Sequence, residues 1–325
     1  MKLRLNILQL KILRSLSSFQ YARIKDVARD VNRSPTRVSI AVKDLEDKGF
    51  IESEKRGFSK QVAISSNKHS SLLKTFISEH QHMKFEKILS GPTLEILLPL
   101  TYSKMRLSEI VKESGYSERT VRRVVKKLRE FGIVTTEKFY YSKGSIHKLL
   151  YDFVEEFQRY LNLKLALELS SDAVILWERG KEFILKTRQE IKEKEDIFST
   201  CFTKMYDFGI KLILPDYRHY FYTPYKKHLE VEDVALHTLA VDRMSAKNTL
   251  YVLLLISKNP DKIDLDYLKK ESEKLELEET VHQLFNYLKN RGKPKPTYFP
   301  TWKEFKSKAE DYAICLKEKS LEKSI

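Results

Sequence analysis

The sequence predicts a mainly α protein of the α+β class, in which two similar helical units precede a helix-rich α+β domain. The first observation is an internal repeat, since residues 23–53 align with residues 106–136 without a gap. The second is the apolar spacing inside each copy, which changes from helical to alternating. The third is charge, because residues 1–150 hold 30 basic and 15 acidic side chains, whereas residues 151–325 hold 30 of each. The net charge of +15 therefore belongs to the part that carries the repeat.

The composition excludes several classes of protein. The chain has 325 residues, of which 42% are hydrophobic, so it has enough apolar surface for at least one substantial core. Only two cysteines occur, which excludes a disulfide framework and a multi-cysteine zinc site. The longest apolar runs are far shorter than the ~20 residues that span a bilayer. We therefore expect a cytoplasmic protein in a reducing compartment, without membrane partners.

Five segments follow from these patterns. We expect a first repeat domain at 1–66, a linker helix at 67–91, a second repeat domain at 92–145, a connecting helix at 146–171 and an α+β domain at 172–325.

Each copy begins with a short helix, at about 24–31 and 107–114, that ends at a polar turn. Ser34 and Ser117 then lie where an N-cap accepts hydrogen bonds from the free amides of a second helix. Pro35 follows Ser34 at the first helical position, where a missing N–H costs nothing.

The second helix of each copy has one apolar side, formed by Val38, Ala41, Val42 and Leu45 in the first copy and by Val121, Val124, Val125 and Leu128 in the second. Gly49 and Gly132 are expected to end these helices with a positive φ. The following residues alternate as β-hairpins, at 50–65 and 133–144.

A helix, a turn, a second helix and a basic hairpin resemble a winged helix-turn-helix domain of the broad MarR/ArsR-like type. Helices at about 5–17 and 92–102 supply the third helix of each domain. The resemblance implies that the second helix enters the major groove of DNA and that the hairpin, or wing, contacts flanking phosphate or the minor groove.

Side chains left outside the apolar faces are the candidate DNA contacts, because arginine binds guanine edges or phosphate and lysine binds phosphate. The predicted DNA-binding residues are Thr36, Arg37, Ser39, Lys43, Lys55, Arg56, Lys60, Arg119, Thr120, Arg122, Arg123, Lys126, Lys127, Lys138 and Lys143. The second copy carries the stronger positive charge. RNA binding and a purely protein-binding pair of domains are the alternatives.

The helix at 146–169 carries a wide apolar stripe that includes Leu150, Phe153, Phe157 and Leu161. This stripe packs either on the core of its own chain or against a second copy in a homodimer. One chain already has two predicted DNA-binding domains, so dimerisation is not required.

In the α+β domain at 172–325, the sequence predicts a hairpin at 173–178 and 182–187, a charged helix at 187–209 and strands at 211–215 and 219–224. Helices are expected at 230–258, 264–275, 277–292 and about 301–320.

This domain resembles the C-terminal part of nucleotidyltransferase-like proteins of abortive-infection systems. Their catalysis needs a Gly-Ser followed by paired aspartates that hold Mg²⁺. The Gly-Ser of this chain, Gly144-Ser145, lies in the second wing with no such aspartates after it. The resemblance therefore implies a domain without an active site. We expect this domain to serve in sensing, dimerisation or recruitment.

Other candidate chemical groups have simpler interpretations. His80 and His82 are expected to be exposed rather than metal ligands, and Cys201 to be a buried apolar residue. Acidic residues near 232 suit the positive end of a helix dipole. We expect no enzyme activity, cofactor or metal.

These features predict a sequence-specific regulator that binds double-stranded DNA. A replication initiator with tandem winged helices, or a protein-interaction subunit of a larger nucleic-acid machine, is the alternative.

Overall fold

The computed structural model describes residues 2–56, 59–213, 216–314 and 316, without the side chains of Lys55, Arg56 and Ser59. The second cysteine, Cys315, lies outside these residues, as does the tip of the first hairpin. The chain divides between Leu165 and Ala166 into an N-terminal and a C-terminal unit. The predicted mainly α, α+β fold class is confirmed.

The N-terminal unit contains two copies of one arrangement, in which a short strand joins a hairpin. Its elements are α1 (Ile7–Ser17), β1 (Ala22–Arg23), α2 (Ile24–Asp30), α3 (Pro35–Asp47), β2 (Ile51–Arg56), β3 (Ser59–Ile64), α4 (Lys68–Glu79), α5 (Phe85–Leu89), α6 (Thr93–Tyr102), β4 (Met105–Arg106), α7 (Leu107–Ser114), α8 (Glu118–Glu130), β5 (Val134–Glu137), β6 (Tyr140–Lys143) and α9 (Lys148–Leu169), whose last four residues belong to the C-terminal unit. The two sheets have the equivalent strand orders β1-β3-β2 and β4-β6-β5. Sequence patterns did not predict β1 and β4, because two residues are too short for an alternation to show.

Local signals place the two second helices as expected. Pro35 occupies the first turn of α3, and Gly49 and Gly132 follow α3 and α8 with φ of 73° and 66°. Ser34 and Ser117 hold the N-cap positions, but the predicted capping bonds from their side chains are absent. Ser117 Oγ instead pairs with Thr120 Oγ1 at 3.1 Å.

One hydrophobic core joins both copies and the middle of α9. The apolar side chains of α3 and α8 lie in this core together with Phe50 and Phe76. The stripe on α9 contributes Phe153 and Phe157 to the same core. The stripe therefore packs largely within its own unit, although Leu163 and Leu167 remain exposed.

The C-terminal unit combines an antiparallel sheet with a group of helices. Its elements are β7 (Val174–Arg179), β8 (Glu182–Thr187), β9 (Ile197–Thr200), β10 (Arg218–Tyr222), α10 (Val231–Val241), α11 (Ala246–Lys258), α12 (Leu265–Leu275), α13 (Glu278–Lys289) and α14 (Trp302–Asp311). The sheet has the order β7-β8-β10-β9, and α10 packs on one of its faces.

Three predictions for this unit were wrong. The expected helix at 187–209 is an irregular segment followed by β9 and two short 3₁₀ turns, because Ile197 and Phe198 pair with β10 instead. The expected strand at 211–215 is not formed at 211–213, and the rest lies outside the described residues. The expected helix at 230–258 is interrupted, because Asp242 accepts a hydrogen bond from the Met244 amide and Ser245 caps α11.

Across the part of the chain that the structure describes, no helix combines the length and apolarity needed to cross a membrane.

Candidate nucleic-acid interface

The outer face of α8 carries a cluster of cations. Val121, Val124, Val125 and Leu128 are buried, which turns the opposite side of the helix to solvent. The exposed cations of α8 are Arg119, Arg122, Arg123, Lys126 and Arg129. Their placement follows directly from the apolar spacing of the helix.

Most of these cations are available to an outside anion. No ion pair among the described residues involves Arg119, Arg123 or Lys126. Arg122 pairs with Glu118 one turn earlier, with 2.6 Å between Nη2 and Oε1, but its side chain is 64% exposed. Because exposed pairs of this kind contribute at most ~1 kcal/mol, a phosphate competes readily for Arg122.

Two predicted contacts on α8 lie partly inside the protein. Lys127 is half-buried, and its Nζ donates a hydrogen bond to the Lys87 carbonyl at 2.8 Å. Burial and the nearby Arg123 charge lower the pKa of Lys127. Thr120 is also half-buried beside the Ser117 hydroxyl. These two residues are therefore less accessible than the arginines around them.

The equivalent face of α3 is less basic. Thr36, Arg37, Ser39 and Lys43 are all exposed. The end of the helix is acidic, and Asp44 accepts hydrogen bonds from Gln9 and from Lys48. Exposed Ile40 also lies on this face and offers an apolar contact. Side chains of this kind suit base reading more than strong phosphate attraction.

The structure adds two cations that the sequence interpretation missed at the first helix-turn-helix. Arg29 and Arg33 line an open groove of about 620 Å³ together with Arg37 and Ser34. All three arginines are exposed, and the groove borders the start of α3. The sequence carried no signal for this groove, because Arg29 lies on α2, Arg33 in the turn and Arg37 on α3, and a spacing of four residues marks a common face only within one helix.

The wing of the second copy carries a further cationic patch. Lys138 and Lys143, two of the predicted DNA contacts, are exposed, and Lys143 Nζ lies 3.4 Å from the Thr101 carbonyl oxygen. Arg106 and Lys104, which sequence reasoning missed, lie 5.2 and 5.7 Å from the centre of the Tyr140 ring. Strand β4 brings them there by pairing with β6.

The described cation in the wing of the first copy is less available to an outside anion. Lys60 Nζ lies 3.0 Å from Glu46 Oε1, at the acidic end of α3. The side chains of Lys55 and Arg56 lie outside the described residues, although their backbone belongs to β2.

The histidine and cysteine candidates have structural surroundings. His82 is exposed, but His80 is half-buried and its Nδ1 lies 3.1 Å from the Phe76 carbonyl, so the expectation of an exposed pair was wrong for His80. Cys201 is buried, and burial raises its pKa to about 12. Within the described ranges, no three His, Cys, Asp or Glu side chains are arranged to hold a metal ion.

The acidic start of α10 is more than a helix-dipole feature. Asp233 does form the expected cap, accepting from the Glu230 amide at 2.9 Å. It is also buried against Lys226, whose Nζ lies 2.6 Å from Asp233 Oδ1 and 2.8 Å from Glu271 Oε2. Tyr267 donates to the same carboxylate at 2.9 Å. The helix start is thus part of a buried ionic network.

Two family models match parts of this chain. Residues 5–57, which contain α1 to β2, match the model described as MarR family. Residues 194–314 match the model described as HVO_2833_C, C-terminal. No curated protein matches the chain significantly. The first match supports a MarR-like winged-helix DNA-binding regulator, whereas the resemblance to nucleotidyltransferase-like proteins stays a prediction.

Proposed function

We propose that this protein is a non-enzymatic transcription regulator that binds double-stranded DNA through two tandem winged helices. The observation that carries the proposal is the outer face of α8, where five exposed cations follow the helix away from its buried side. The MarR family match supports the same role for the first copy.

The proposed mechanism begins with electrostatic attraction. The excess positive charge of the chain lies entirely within residues 1–150, so DNA phosphates attract this part. The wing patch formed by Lys104, Arg106, Lys138 and Lys143 extends the cationic surface beyond α8. Contacts to phosphate fix the orientation of the protein on the duplex but carry little sequence information.

Base reading then belongs to the N-terminal halves of α8 and α3. Arg119, Arg122 and Arg123 each have the planar guanidinium that donates two hydrogen bonds to a guanine edge. On α3, Arg37 offers the same guanidinium, and Thr36 and Ser39 supply shorter polar contacts. The two helices would contact major grooves about 10 base pairs apart on one face of the duplex.

The experiment that tests this proposal selects bound sequences from random DNA duplexes. The full chain is compared with R122A/R123A and with the matched control K269A/K270A, which removes two exposed charges from α12. We expect the wild type and the control to enrich the same sequence. Loss of preference at defined bases in R122A/R123A places base reading on α8, at about 1–3 kcal/mol per arginine–guanine contact.

Other outcomes have distinct meanings. A uniform loss of affinity in R122A/R123A would make these arginines phosphate contacts. A palindromic selected sequence would support a homodimer in addition to the tandem arrangement. Failure of the full chain to bind or enrich any duplex would contradict the proposed function and favour a protein-binding role.

A further inference from the structure

A cavity of about 320 Å³ lies inside the C-terminal unit, between the sheet and the helices α10 and α11. Lys186 and His219 reach it from neighbouring strands, where they form a directly opposed pair of β8 and β10. Ser245 and Lys247 reach it from the start of α11. The volume lies at the small end of the range for ligand sites, which suits a compact ligand.

His219 is the feature of this cavity that a folding role does not explain. Its side chain is 4% exposed and lines the cavity, and its Nδ1 has no hydrogen-bond partner. Burial and the nearby Lys186 charge lower the pKa of His219 to about 4, so the ring is neutral at physiological pH. A buried imidazole nitrogen without a partner costs free energy unless something else meets it.

Two lysines, Lys186 and Lys247, line the cavity around His219, and Asp242 is the acidic residue in the same lining. Lys186 Nζ lies 5.1 Å from the centre of the Tyr217 ring, and Lys247 Nζ lies 5.1 Å from that of Phe202. Each ammonium therefore rests on an aromatic wall, which holds it near the cavity without neutralising it.

The start of α11 adds partial positive charge. This helix has 13 residues, and its first amides have no acceptor one turn earlier. Ser245 Oγ accepts a hydrogen bond from the Asn248 amide at 3.2 Å. The Ala246 and Lys247 amides lie before it at the helix end, where backbone amides bind anions. Asp242 also lines the cavity, and its Oδ1 accepts from the Met244 amide at 3.3 Å.

We propose that this cavity is a binding site for a small organic anion, whose carboxylate or phosphate group lies among Lys186, Lys247 and the start of α11. The imidazole of His219 supplies a neutral hydrogen bond to the same ligand. The rings of Tyr217 and Phe202 contact its organic body. Leu176 and Val241 also line the cavity and exclude ligands that carry charge throughout.

The test adds probes to the full chain while the imidazole resonances of histidine-labelled protein are recorded by NMR. The H219Q variant identifies the His219 resonance. The probes are benzoate, phenyl phosphate and the neutral benzyl alcohol, each up to about 10 mM. We expect benzoate or phenyl phosphate to shift the His219 resonance in a saturable way, and the probe that binds more tightly identifies the anionic group. Benzyl alcohol should leave the resonance unchanged.

The lysines are tested with a matched control. K186Q/K247Q should weaken binding of the anionic probe at least tenfold. In contrast, K262Q should have no effect, because Lys262 lies over the Phe208 ring at 5.9 Å but does not line the cavity. The proposal is overturned if neither anion shifts His219, if benzyl alcohol shifts it equally, or if K186Q/K247Q binds as the wild type does.

Discussion

The buried ionic network around Lys226 gives the sharpest stability prediction. Replacing Lys226 by Met keeps a chain of similar length but removes the ammonium that contacts Asp233, Glu271 and the Tyr267 hydroxyl at 2.6, 2.8 and 2.8 Å. The two carboxylate side chains are 1% and 10% exposed, so water does not take the place of the ammonium.

The charges show how strongly this site depends on its lysine. Burial alone would lower the pKa of Lys226, but the carboxylates of Asp233 and Glu271 raise it instead. Burial alone would raise the pKa of Glu271, but Lys226 and Lys274 lower it. Removing one partner of a buried pair costs about 3–5 kcal/mol. Because Glu271 keeps Lys274 at 2.9 Å, we expect a cost of about 3 kcal/mol for K226M.

Urea denaturation followed by tryptophan fluorescence measures the stability of the C-terminal unit, which holds the Lys226 network. Both tryptophans of the chain, Trp177 and Trp302, belong to the C-terminal unit. The control is K308M, which breaks an exposed pair with Asp311 and should cost about 0.5 kcal/mol or less. A second change, E271Q, should recover part of the stability that K226M removes. A cost below about 1 kcal/mol in K226M would refute the claim that the C-terminal unit needs the charge of Lys226 for its stability.

Two further predictions concern the N-terminal unit. G49A should destabilise it more than G115A does, by about 1–3 kcal/mol. Both glycines have φ of 73°, but a Cβ at Gly49 overlaps the Tyr160 ring, whereas a Cβ at Gly115 meets open space. Equal losses of stability, measured by thermal unfolding followed by circular dichroism, would contradict this prediction. Burial lowers the pKa of His69 to about 4, so the unfolded chain gains a proton below about pH 6.5 while the folded chain does not. The free energy of unfolding should therefore fall as pH decreases from about 6.5 to 4, by up to about 1.4 kcal/mol per pH unit for this group, and H69F should show a smaller fall. An unchanged slope in H69F, measured by denaturation at several pH values, would exclude this role of His69.

Much of the N-terminal unit could be predicted because its signals are local. The repeat established which residues are equivalent, and apolar spacing separated the buried valines of α8 from its arginines. The positive φ of Gly49 followed from its position after a helix. The wing contribution of Arg106 could not be predicted, because it depends on the pairing of two-residue β4 with β6.

The C-terminal unit was harder because its important contacts join distant residues. Lys226, Asp233 and Glu271 come together from three separate segments, and none has a sequence pattern that indicates burial. The charged stretch at 187–209 was predicted as a helix from its composition. In the structure, hydrogen bonding to β10 outweighs that local preference in Ile197–Thr200.

The salt dependence of duplex binding tests the central claim most directly. If the two proposed winged helices neutralise roughly 6–10 phosphates, the affinity of the full chain for DNA should fall about 10³–10⁵-fold between 50 and 200 mM salt. K126A, which removes an exposed lysine of α8 that is proposed to contact phosphate, should have a slope shallower by about one, while K269A/K270A keeps the slope of the wild type. An affinity that hardly changes over this range, or equal slopes in all three proteins, would contradict DNA binding through the basic face of α8.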